Sequence, residues 1–168
     1  SDITKMERVD VMTDKGYNPT RAVTMRATSH PYLGCSVYYS VVSGGFSKLM
    51  LALENSSGLM YSHRLIGMDG RSILDQLAGV RYVVCRESSM VPYGFEKKGD
   101  TLYENTEPVS IGYVYHAYMT ENTADELDAL DLQNALLHAA MVAENSNLLK
   151  KAEDAGLQEE VKKAEKTS

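Results

Sequence analysis

The chain has 168 residues, 43% hydrophobic and 24% charged, which is the composition of an ordinary globular domain and not of a disordered one. A chain of this length buries about 68–70% of its unfolded surface on folding, so it needs neither metal nor disulfide to hold a core. Seventeen Lys and Arg against 23 Asp and Glu leave a net charge of −6, which excludes nucleic-acid or membrane-surface binding by bulk charge.

From the N-terminus, Met6, Val9 and Met12 at helical spacing predict a short helix over 3–15, ended by Gly16 and Pro19. Arg21 to Ala27 alternates apolar and polar residues and predicts a half-buried strand. Pro31 to Gly34 reads as a turn, and Cys35 to Val42, rich in Val, Tyr and Ser, as extended chain. Gly44-Gly45 breaks that run before a helix from about Phe46 to Glu54. Residues 59–70 read as an irregular loop ending at Asp69-Gly70. Ser72 to Leu77 then predicts a short helix, with Gly79 as its C-terminal stop, and Val80 to Cys85 a strand.

Pro92 to Lys97 and Thr101 to Glu104, joined by Lys98-Gly99-Asp100, form a predicted hairpin. Ile111 to Met119 reads as a further strand. Thr123-Ala124-Asp125-Glu126 has the form of a capping box, followed by Leu127, Leu130, Leu137 and Met141 on one face of a long helix to about Glu144. Leu148 to Lys166 is charge-dense, with Gly156 inside it, and predicts a solvated helix. The sum is an α/β or α+β fold: one mixed sheet of about six strands packed with four or five helices, the long helix lying near the C-terminus. The expected division is an α/β domain over 1–145 and a charged C-terminal helix or linker over 146–168.

The longest apolar stretch, Val109 to Met119, is interrupted by Gly112 and His116 and falls far short of the ~20 residues of a spanning helix. No secretory signal opens the chain, and its start at Ser1-Asp2-Ile3 without an initiator Met points to a piece of a longer protein. The lack of a membrane segment then describes this piece alone.

Chemistry-bearing patterns are sparse. Ser43-Gly44-Gly45 before a helix could offer amides to an anion, or serve as a flexible turn, but it lacks the P-loop spacing. His30, His63, His116 and His138 are scattered, so no metal site is expected. Ser62-His63 with Asp69 nearby does not make a nucleophile constellation, and no catalytic residue or cofactor is expected. Cys35 and Cys85 read as two buried small hydrophobes, with a disulfide left open by spacing.

Eleven tyrosines with two Phe and no Trp are an unusual balance. Tyr38, Tyr39, Ser40 and Ser43 could form an aromatic and hydroxyl surface that stacks on a sugar ring, or the tyrosines could simply alternate between core and rim of a sheet. Gln133 and Asn134 interrupt a Leu-rich helix. A buried carboxamide needs hydrogen-bond partners, so the pair is expected to tie that helix to a loop backbone.

Four segments in order carry a family resemblance. Arg21-Ala22-Val23 and Pro31 to Ser40 are similar to an arginine-bearing strand followed by a "G-x-S-x-F-S-S"-like stretch, although Tyr39 stands where the family has Phe. Ile73 to Val84 is similar to "LLGVKYVV". Pro92 to Glu96, Leu102 to Asn105 and Ile111 to Tyr115 are similar to "YGFE … YENP … LGFVY", and Leu132 to Leu137 contains "QNALL". Over about residues 21–142 the chain thus resembles the large extracytoplasmic domain of YfhO-family bacterial membrane proteins.

The resemblance implies a piece of a multi-pass, glycosyltransferase-C-like membrane protein that adds sugars to envelope polymers such as teichoic acid. The catalytic acids of such enzymes are expected near the first membrane helices, outside this chain. On that reading the piece is a non-catalytic accessory domain on the extracytoplasmic face. Its partners are the membrane-embedded part of the same protein and an envelope glycan polymer or lipid-linked sugar, with no nucleic acid. The alternative is a binding or assembly module of a transport-related membrane protein with no sugar chemistry.

Overall fold

The computed structural model describes residues 7–12, 33–38, 44–55, 64–107, 110 and 112–163, with the backbone alone at 36–38 and 64–66. By contacts the chain divides into two compact units, Ser1–Leu51 with Asn55–Gly112, and Ala52–Glu54 with Tyr113–Ser168.

The first unit carries β1 (Arg8–Val11), β2 (Leu33–Gly34), β3 (Ser36–Tyr38), α1 (Gly44–Ala52, its last residue counted with the second unit), β4 (Arg64–Ile66), α2 (Ser72–Leu77), β5 (Val80–Val84), β6 (Phe95–Lys97) and β7 (Leu102–Asn105). Five of these strands form a mixed sheet in the order β2-β1-β5-β7-β6. β1 runs parallel to β2 and β5, while β7 runs antiparallel to β5 and β6. β3 and β4 form a separate antiparallel pair, with Tyr38 opposite Arg64.

β5 is the middle strand because its apolar run suits burial on both faces of a sheet. Val80 and Val83 are fully buried, and Leu74 of α2 is buried with them. Each such side chain contributes roughly 1.5–3 kcal/mol of burial free energy. Gly79 lies between α2 and β5 at φ 65°, and its amide donates to the Gln76 carbonyl at 2.8 Å. Only a left-handed residue closes the helix this tightly before the strand begins, which is why glycine stands there. On the other side of β5, the buried Asn105 carboxamide donates to the Val80 carbonyl (3.3 Å) and accepts from the Glu107 amide (3.0 Å), fixing the end of β7.

The second unit carries β8 (Ala117–Thr120), α3 (Glu121–Asp125), α4 (Ala129–Ala135), β9 (Ala140–Val142), α5 (Asn147–Asp154) and β10 (Gln158–Glu159). Its three strands are all parallel, in the order β10-β8-β9. Met119, Leu132, Ala135 and Ala139 are fully buried and form its core with Ala117, Ala124, Leu136 and Val142. Each helix starts on a side-chain cap: Thr120 accepts from the Thr123 amide (3.3 Å), Asp128 from the Leu130 and Asp131 amides (3.0 and 2.8 Å), and Ser146 from the Leu149 amide (3.2 Å).

The mixed α/β class expected from sequence is the observed one. α1, α2, β5 and the β6–β7 hairpin lie where they were expected, and the Arg21 to Ala27 strand falls outside the described residues. Several elements differ. Arg8–Val11 is a strand, not part of a helix, because pairing with β5 outweighs the weak helical spacing of Val9 and Met12. The Pro31 to Gly34 turn gives way to strand at Leu33–Gly34, and the expected loop over 59–70 contains β4.

The strand expected from Ile111 begins only at Ala117. The long helix is divided into α3, α4 and β9: Thr123 sits inside α3, capped by Thr120, and Asp128 starts a new helix. The buried face of α4 is Leu132 with Ala135, while Leu130 and Leu137 are exposed. The last predicted helix is confined to α5, after which Gly156 at φ 75° turns the chain into β10.

Candidate functional site

Of the sugar-contact candidates, Tyr38 closes β3, with its backbone alone described, and Tyr39, Ser40 and Ser43 lie outside the described residues. Gln133 and Asn134 lie in α4 of the second unit, so they belong to a different unit from Tyr38. Gln133 is buried, and the half-buried Asn134 donates from Nδ2 to the Lys162 carbonyl at 2.9 Å, joining α4 to the chain beyond β10.

The most unusual chemistry is a pair of buried acids in the first unit, neither of them among the residues singled out from the sequence. Asp10 on β1 and Asp75 on α2 are 2% and 0% exposed. β1 lies between the parallel strands β2 and β5, and Asp10 is its one buried residue, while Arg8, Val9 and Val11 are half-buried. α2 buries Asp75 beside Leu74. The turn at Gly67 (φ 87°) brings the Met68 amide to Asp10 Oδ2 at 2.9 Å, and Gly67 packs so closely that a Cβ would stand 2.6 Å from Asp10 Oδ1. Asn55 donates to the Gly67 carbonyl at 3.3 Å and holds the same turn. An acid flanked on both sides by apolar residues, Val9-Asp10-Val11, was the available signal in the sequence for Asp10, while Asp75, between Leu74 and Gln76, carried none.

Burial dominates the electrostatics. It pushes the Asp10 carboxyl up to about 6, against the Met68 and Val11 amides that favour its ionised form, with the Asp69 charge adding to the rise. Burial and then the Asp10 charge push Asp75 up to about 8. Burial and the Asp10 charge also hold the Cys35 thiol far above its ordinary range, although Arg8 opposes them. Cys35 and Cys85 are both buried thiols, not partners in a disulfide, and a thiol so disfavoured as thiolate is inert as a nucleophile. The cluster can hold protons, but its sealed carboxyls reach no substrate. Among the described residues no group of three or more His, Cys, Asp or Glu could hold a metal ion.

Among the described residues, Tyr93, Val114, Leu130 and Leu148 are the most exposed large apolar side chains. Tyr93 is 94% exposed, on the turn leading into β6. In the second unit the Tyr113 and Tyr115 rings meet edge to face at 5.1 Å, and the Tyr115 hydroxyl donates to the Leu136 carbonyl. Glu159 of β10 accepts from the Thr123 hydroxyl (2.7 Å) and from the amide and hydroxyl of Thr120 (both 3.3 Å), which hold its carboxyl below the usual range. Among the described residues no helix is long and apolar enough to cross a membrane.

No curated protein and no solved structure matches the chain. The model of one family, described as bacterial membrane protein YfhO, matches residues 26–168, and the chain belongs to the YfhO family of bacterial membrane proteins.

Proposed function

We propose that this chain is a non-catalytic, extracytoplasmic part of a multi-pass bacterial membrane protein that adds sugars from a lipid-linked donor to cell-envelope polymers such as teichoic acid. The observation that carries the reading is the family match over 26–168, nearly the whole chain, in a piece whose described helices include none able to cross a membrane. The sealing of Asp10 and Asp75 from solvent supports an accessory role, since a general acid or base has to come within hydrogen-bond reach of a reacting group.

The net charge of −6 constrains how such a domain meets an anionic polymer. Bulk attraction is ruled out, so contact falls to neutral groups: aromatic faces on sugar rings and hydroxyls on polyol oxygens, with Tyr38, Tyr39, Ser40 and Ser43 as the candidate surface. An NMR titration of the chain with envelope glycan fragments tests this. Shifts concentrated at residues 38–43 are the expected result. Silence at ~millimolar ligand, a concentration that still detects binding near −4 kcal/mol, overturns sugar recognition by this domain.

A further inference from the structure

We propose that Asp10 and Asp75 form a proton-loaded element in the core of the first unit, whose deprotonation loosens that unit as pH rises. Three of their four carboxylate oxygens, Asp10 Oδ1 and both of Asp75, are buried without a hydrogen-bond partner among the described residues. Among the described residues neither acid has an ion-pair partner. An ionised carboxylate left in that state costs several kcal/mol, and the group escapes the cost by taking a proton.

The charged and titratable groups around the pair do not relieve it. Arg8, from β1, gives its guanidinium to the Ala78 carbonyl. Asp69, from the turn after Gly67, adds like charge at Asp10. Cys35, between β2 and β3, feels both acids and stays a neutral thiol. Only the Met68 and Val11 amides favour an anion, and both act on Asp10. Asp10 is therefore the member that ionises first, and Asp75 keeps its proton longest.

The pH dependence follows from linkage. Both carboxyls bind protons more tightly in the folded chain than at the ordinary value of 3.8, up to about 6 for Asp10 and about 8 for Asp75. The folded state thus carries more protons than the unfolded one across that window, and stability falls as pH rises through it, levelling off above about 8. A surface on which carboxylates are paired behaves oppositely and gains stability as pH rises from acid.

Thermal melts of the chain from ~pH 5 to ~pH 9, for wild type and Asp75→Asn, test it together with carboxyl-carbon NMR titration of the wild-type aspartates. The wild type is expected to lose ~5–10 °C across the range. Asp75→Asn should show a clearly shallower loss and melt above wild type at the alkaline end. The Asp75 carboxyl should titrate far above the ordinary 3.8, toward about pH 8. A flat wild-type profile, or carboxyl carbons of both residues titrating with ordinary exposed aspartates, overturns the proposal. If Asp75→Asn does not fold, the wild-type carboxyl titration decides alone.

Discussion

The carboxamide of Asn134 donates across 2.9 Å to the main-chain carbonyl of Lys162, 28 residues further along the chain. β10 contributes two exposed residues to its sheet and α5 buries none, so the last part of the second unit is held by polar contacts more than by a core. Asn134→Ala should therefore cost ~0.5–1.5 kcal/mol, in the range of one partly exposed hydrogen bond, and lower the melting temperature by ~2–4 °C. Limited proteolysis around residues 157–163 should quicken in the variant. An unchanged melt and unchanged cleavage would show that the bond does not anchor this segment.

Glu159 is the second anchor of the same segment. Its carboxyl lies below the usual range because the Thr123 hydroxyl, then the Thr120 amide and hydroxyl, favour the ionised form. A depressed carboxyl contributes above its unfolded value and loses that contribution as pH falls through its folded one. Amide-exchange protection of Glu160, whose N–H donates to the Tyr118 carbonyl at 2.9 Å, should thus drop below ~pH 4 in wild type. In Glu159→Ala it should already be low at neutral pH. Equal protection in both proteins would contradict the contact.

Asp128 starts α4 by accepting from two amides, at 3.0 and 2.8 Å. Asp128→Ala should cost ~0.5–2 kcal/mol in chemical denaturation, and Asp128→Asn distinctly less, because a carbonyl oxygen still caps. Equal losses for the two variants would mean that the charge, and not the cap, matters at this position.

Gly67 is restricted twice, by its φ of 87° and by the 2.6 Å approach that a Cβ would make to Asp10 Oδ1. Gly67→Ala should destabilise the chain by about 2–4 kcal/mol. Gly99 offers the comparison: its Cβ would meet Leu102 Cβ at an ordinary 3.5 Å, so Gly99→Ala should stay within ~0.5 kcal/mol. Denaturant midpoints check both, and similar losses at the two sites would contradict the close packing over Asp10.

What could be read from the sequence was whatever is encoded locally. The α2–Gly79–β5 passage carries its helix stop and its strand within a few residues, and the β6–β7 hairpin carries its own turn, with Lys98 and Gly99 donating to the Leu102 carbonyl at 2.9 and 3.1 Å. β1 was misread because its partner β5 lies far along the chain and nothing near Arg8 announces it. Met141 fits a helical stripe with Leu137, yet it sits in β9 opposite Met119, so tertiary pairing overrode the spacing. The acid pair depends on tertiary packing in the same way: the apolar flanks of Asp10 hint at burial, but only the folded first unit seals both Asp10 and Asp75 from solvent. The family was legible because four short segments in order carry it, even though no single one does.

The central claim places this chain outside the cell, and Tyr93, 94% exposed, gives access to it. With Tyr93→Cys in the whole membrane protein, expressed in its bacterium, intact cells are treated with a membrane-impermeant maleimide and the label is read on the peptide carrying position 93. Cys35 and Cys85 are buried and stay silent in the folded protein. Labelling in intact cells equal to that in permeabilised cells is the predicted result; labelling only after permeabilisation would place the domain inside and contradict the account.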